Sequence, residues 1–222
     1  MVVTPRKLRD AVARHATLRK VLLGCGVVAP AWWATMDVVA SLRYPGYSYV
    51  DQTISELSAQ GAPTRPFLIA TSGFPHDLLA AAFGLGAWAS GNPGSAARRT
   101  GTLLMVGAAV DLPGGILFPM QTRGNEATLR NALHIPFGAL DVLLFLLTMA
   151  SASGLLGKHF RSYTYATVAT LLASGTLTAL QSGGLARGER TPRMGVEERV
   201  GVYATMAWLT VLAIGLLRGG PG

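Results

Sequence analysis

The chain has 222 residues, half of them hydrophobic and only 14% charged, with 19 Lys and Arg against 11 Asp and Glu. Soluble domains carry roughly 25% charged residues, so a soluble globular chain is excluded, and so are intrinsic disorder and collagen. A disulfide scaffold is excluded too, because Cys25 is the single cysteine. The net charge of +8 does not point to nucleic acid, since no basic stripe is interleaved with aromatics; basic residues instead flank apolar runs, as lipid headgroups and insertion topology require.

A spanning helix needs about 20 residues at 1.5 Å rise to cross a hydrocarbon core of about 30 Å. Six runs of that kind predict an all-α polytopic membrane protein, a bundle of six transmembrane helices forming one membrane domain over 1–222, with spans at about 21–42, 66–90, 101–120, 132–156, 163–180 and 200–217. Residues 1–20 form a basic arm. The arm, the short run 21–28 and Ala29-Pro30-Ala31 imitate a cleaved secretory signal, but apolar sequence continues past Trp32 and Trp33 to spanning length, so the segment is read as the first helix. Near its end comes Asp37.

In the first connection, Thr53-Ile54-Ser55-Glu56 fits a capping box and Gly61-Ala62-Pro63 a helix stop. The short helix between them is either an interfacial helix or a lid that brings Ser55 and Glu56 to the mouth of a pocket. The second run holds Ser72, His76 and Asp77, then Ala80, Ala81, Ala82, Gly84 and Gly86, a seam of small residues for close helix packing. The third contains Asp111-Leu112-Pro113-Gly114-Gly115, which predicts a break in the helix. His134 and Asp141 lie two turns apart on one face of the fourth. On the fifth, Ala166, Ala169, Ala173 and Thr176 are read as a second packing seam. Eleven Lys and Arg fall on the side of the N-terminal arm and eight on the other; both termini are therefore expected in the cytoplasm, with the longer connections outside.

Ionisable groups inside lipid are expensive and call for a partner, water or an ion. Counting from the run ends places Asp77 roughly 16 Å and Asp111 roughly 15 Å deep, with Asp141 close to that level. The expected object is an outward-opening pocket of acids and imidazoles. Three chemistries stay open for it. Carboxyls at short range would hold and pass protons, a divalent metal such as zinc would sit on His76, Asp111 and His134, or the groups would pair structurally. As catalytic candidates we take Asp111, His76, Asp77, Asp141 and Ser72, with Asp37, Ser55 and Glu56 at the pocket mouth.

The first connection carries a resemblance. Tyr44-Pro45-Gly46-Tyr47-Ser48 and Thr53-Ile54-Ser55-Glu56-Leu57-Ser58-Ala59-Gln60-Gly61-Ala62-Pro63, with Phe118-Pro119 and His134 further on, resemble the domain of unknown function 998 family of bacterial six-span membrane proteins. That resemblance implies a helical membrane bundle and no particular activity. A fainter one is to the alkaline ceramidase-like metal hydrolases, whose Ser-x-x-x-His spacing is matched by Ser72 and His76 and whose acid would be Asp111; their late His-x-x-x-His is missing from the last run. The expected function is a membrane-embedded hydrolase or lipid-handling enzyme acting from the outer leaflet. A proton-coupled small-molecule transporter and a non-catalytic accessory protein are the alternatives. Membrane lipids and a lipid or small-molecule substrate are the expected partners; low Lys with abundant Arg, Ala and Gly suggests a GC-rich bacterial genome, and the expected location is the bacterial cytoplasmic membrane.

Overall fold

A computed structural model describes residues 5–125 and 128–219. The side chains of 5–14 and 130–131, hence Arg6, Lys7, Arg9, Arg14 and Arg130 of the expected basic flanks, lie outside the described residues. The fold is all-helical, without strands among the described residues: α1 Pro5–Arg43, α2 Ile54–Leu57, α3 Arg65–Leu68, α4 Phe74–Trp88, α5 Ala96–Leu117, α6 Leu129–Ala152, α7 Gly157–Leu180, α8 Ser182–Ala186 and α9 Met194–Arg218. One wide turn, Ile69–Gly73, joins α3 to α4.

Among the described residues, five helices are long and apolar enough to cross a membrane: His15–Arg43, Arg65–Trp88, Ala96–Leu117, Ala132–Ala152 and Met194–Arg218. The fifth expected span, α7, has 24 residues but opens on Lys158, His159 and Arg161 and continues through a run of Ser and Thr. It is long enough to cross and too polar to meet the same standard.

Helices α4 and α5 are the most closely packed pair, with α1 on the other flank of α4 and α9 between α1 and α7. The small residues of α4 explain this. A Cβ on Gly84 would lie 2.9 Å from the Gly101 carbonyl, and one on Gly86 2.8 Å from the Leu23 nitrogen, so those two glycines set the approach to α5 and α1. The expected seam on α7 is corrected: Ala166, Ala169, Ala173 and Thr176 face outward, and the buried face is Phe160, Thr164, Thr167 and Ser174. Phe160 stacks on Trp208 at 5.7 Å between ring centroids, and the Trp208 Nε1–H donates to Thr164 Oγ1 at 2.9 Å. Thr164 and Thr167 return their hydroxyls to carbonyls one turn earlier, which removes the cost of burying them.

The expected break at Asp111–Gly115 is also absent. Helix α5 runs through Pro113 to Leu117, because one proline near a helix end removes a single hydrogen bond and the remaining ladder persists. The irregularity lies elsewhere. Pro75 has no N–H for the carbonyl of Thr71, and its ring crowds that carbonyl; the helix widens, with the Phe74 N–H reaching back to the Ile69 carbonyl. The carbonyl of Thr71 instead accepts from the indole of Trp32 on α1. This wide turn immediately precedes His76 and Asp77.

Candidate intramembrane acid and histidine site

At the end of the bundle that carries the long connections, an ion pair closes α1 against α9. Arg199 Nε and Nη2 donate to the two oxygens of Asp37 at 2.9 and 3.0 Å. Nη2 also reaches Tyr47 Oη at 2.8 Å, while Nη1 serves the carbonyls of Tyr49, Gln52 and Gly195 at 3.0 to 3.2 Å. Tyr203 donates to Asp37 Oδ2 at 2.6 Å. Both charges are about 2% exposed, and every guanidinium donor is used. Asp37 is thus a structural anchor that lines one hollow with its carboxylate already engaged. Sequence reading counted Arg199 only as a flanking charge and did not identify Tyr47, Tyr49 or Tyr203.

The first connection is ordered by its capping box: Glu56 N–H donates to Thr53 Oγ1 at 3.3 Å, and Thr53 N–H to Glu56 Oε2 at 2.8 Å. The Ile54 N–H at the start of α2 donates to Glu198 of α9. Ile54 and Ser55 line the largest hollow near the site, whereas Glu56 turns away from it to take both Nε and Nη2 of Arg123 at 2.9 Å. Burial pushes the Glu56 carboxyl upward, but Arg123, the Thr53 N–H and Gln52 together outweigh it and hold the group below its ordinary value.

Deeper in the bundle, α4 supplies His76 and Asp77, α5 Asp111 and α6 Asp141. His76, Asp77 and Asp111 each place a ligand atom so that all three lie within 4.8 Å of one another. His76 Nδ1 lies 3.1 Å from Asp77 Oδ1. His76 Nε2 is buried and has no hydrogen-bond partner. Three hollows meet at Asp111: an apolar slot of about 40 Å³ shared with His76, Asp77 and Asp141; a cavity of about 180 Å³ under α2, shared with Ser72 and Asp77; and one of about 320 Å³ bordered by α6, α7 and α9, shared with His76, His134 and Asp141.

Of the expected site residues, His76, Asp77 and Asp111 therefore lie together, and Asp141 lines two of the same hollows. His134 does not join them: its Nδ1 donates to the Phe118 carbonyl at 2.9 Å, and it lines the largest of the three hollows away from the three-residue cluster. Ser72 is buried but borders a different hollow from His76, so the Ser-x-x-x-His likeness to ceramidase-like enzymes finds no shared pocket. Glu198, which sequence reading did not single out, also lines the largest of these hollows; its place in the polar Glu197-Glu198-Arg199 start of α9 was the available signal.

An ion would find a suitable donor set in this cluster. Nδ1 of His76 is committed to Asp77, so Nε2 is the free ligand atom, and a carboxylate on the far side of a ligating imidazole is the usual way of fixing its orientation. Without an ion, carboxyls in contact must share a proton. A family model described as a protein of unknown function, DUF998, matches residues 27–215. No curated protein and no solved structure matches the chain.

Proposed function

Because the chain belongs to the DUF998 family, described as proteins of unknown function, its activity must be read from the site, and we propose that it is a membrane-embedded, divalent-metal-dependent hydrolase. The observation that carries this reading is a buried, unpartnered Nε2 on His76, the histidine that clusters with the carboxylates of Asp77 and Asp111. A bound ion would polarise the substrate carbonyl and lower the pKa of a water. His76 and Asp111 would hold it, Asp77 would orient His76, and Asp141 would take the proton from the attacking water. That water adds to the carbonyl carbon, the bond to the leaving oxygen or nitrogen breaks, and the leaving group receives the proton.

The test is metal content. Purified protein equilibrated with zinc is expected to retain one ion per chain, and His76→Ala or Asp111→Asn to weaken binding by at least about tenfold. Unmodified protein that retains no zinc, manganese or other divalent ion would overturn the reading. A second reading then follows from the closeness of the Asp77 and Asp111 carboxylates, whose oxygens lie within 4.8 Å, which suits a proton carrier; proton flux in liposomes abolished by Asp111→Asn would establish it.

In this reading α7 is the sixth crossing, both termini face the cytoplasm, and the host is a bacterial cytoplasmic membrane. The excess of Lys and Arg on the side of the N-terminal arm supports that orientation. Reporter fusions at the two ends are expected to give the same cytoplasmic signal, and opposite signals would rule out six crossings.

A further inference from the structure

Helix α6 is held differently along its two halves. Toward its C-terminal end Thr148, Met149 and Ala152 are buried, while no residue from 132 to 147 is. It packs along α5 and only slightly against α7. The cavity of about 320 Å³ lies in the resulting gap, with Phe137, Gly138 and Val142 on its α6 wall and Leu171, Val202 and Met206 across from them. These walls are apolar, and α6 exposes Ile135, Leu140, Leu143 and Leu147 outward. The polar lining is grouped at two places: Ser55, His134 and Glu198 toward the end with the long connections, and His76, Asp111 and Asp141 deeper.

No Lys or Arg is among the described residues that line this cavity. Arg199 is committed to Asp37 and Arg123 to Glu56. Among the described residues, an anionic headgroup at the mouth would therefore meet Glu198 with no side-chain cation on the cavity wall.

We infer that the substrate is a membrane lipid with an uncharged polar head and an ester- or amide-linked acyl chain, and that it enters sideways from the bilayer through the gap between α6 and the α7–α9 pair. The head lies at Ser55, His134 and Glu198, the acyl chain runs along the α6 wall, and the linkage reaches His76 and Asp111. The inference rests on the hydrolase reading for its chemistry; the route and the choice of head rest on the cavity alone.

The test uses the full chain in phosphatidylcholine vesicles, with photoactivatable diacylglycerol or photoactivatable phosphatidylglycerol at equal mole fraction and labelled peptides mapped by mass spectrometry. Labelling by the uncharged probe is expected on segments 137–145 and 202–206, exceeding that by the anionic probe about tenfold. A Cβ on Gly138 meets nothing within 4 Å and Gly138 lines the cavity, so the indole of Gly138→Trp starts in open space at the gap and is expected to abolish this labelling. Gly175→Trp, on the outward face of α7 where there is also open space, is expected to leave it intact.

Equal labelling by the two probes overturns the choice of head, and labelling that persists in Gly138→Trp overturns the route. Zinc content, measured on the same samples, separates the two ideas. Zinc retained with no labelling of these segments overturns this inference alone, whereas labelling as expected without any bound divalent ion upholds the route and removes the hydrolase. If Gly138→Trp fails to fold, seen as aggregation on size exclusion, the segment map and probe preference of the unmodified chain decide.

Discussion

Arg199 illustrates what a buried charge does once its donors are all used. Its pair with Asp37 lies out of water, where desolvation offsets much of the attraction, but removing one member leaves the other charged and alone. Arg199→Met is expected to lower stability by about 3–5 kcal/mol, read as a fall in thermal unfolding midpoint in detergent. The double change Asp37→Asn with Arg199→Met should recover most of that loss. An unchanged midpoint in the single variant would show that the pair does not hold α1 to α9. Asp37 was legible in the sequence as an acid inside an apolar run; its partner was not, because it lies 162 residues away and nothing local links them. By contrast Asp77 and Asp111 were placed at one depth by counting residues, and their carboxylate oxygens lie within 4.8 Å of one another. His134 was legible as a polar residue near the pocket, while its bond to the Phe118 carbonyl depends on how the third connection folds back.

At the level of elements, apolar runs locate helices well and their ends poorly. The run expected at 200–217 is a helix from Met194, and that at 163–180 is a helix from Gly157. Hydropathy reports where lipid ends, whereas a helix continues as long as its backbone bonds are satisfied. This is why Arg199 seemed to flank a span and instead lies more than a turn inside α9. The prolines show the same limit. Pro113 with two glycines carried the stronger local signal for a break yet leaves α5 continuous, and Pro75, which carried none, accompanies the wide turn. What decided between them was tertiary: Trp32 stands ready to take the Thr71 carbonyl, and no sequence window contains both residues. The seam on α7 was misread for a related reason, since Ala at helical spacing serves contact with protein and exposure to lipid equally well.

Across the whole molecule, the three long connections form one cap. Arg123 of the third binds Glu56 of the first and the Glu189 carbonyl of the last, the Thr191 hydroxyl donates to the Asp51 carbonyl, and the Gln60 N–H donates to the Met120 carbonyl. The cap has a defined pH response. Glu56 is held below its ordinary value of 4.5, so its ionised form favours the folded state; the contribution is complete above about that pH and disappears as the pH falls through the lowered value. Unfolding midpoints in detergent are expected to stay level with respect to this group above about pH 4.5 and to drop as the pH falls below it. Glu56→Gln should begin lower and show a flatter acid dependence, and an identical slope in both proteins would discount the bridge.

Glu198 and Arg199 are adjacent on α9 and look in different directions, the first holding the start of α2 and the second gripping α1. A single dipeptide thereby sets the register of α2 and of the bundle at once. Since neighbours on a helix are separated by about 100°, neither grip can be rotated away while the other stays closed. The segment above the site is consequently geared to the helix beneath it, and any opening toward the aqueous face has to turn α9 or sever one of its two fastenings.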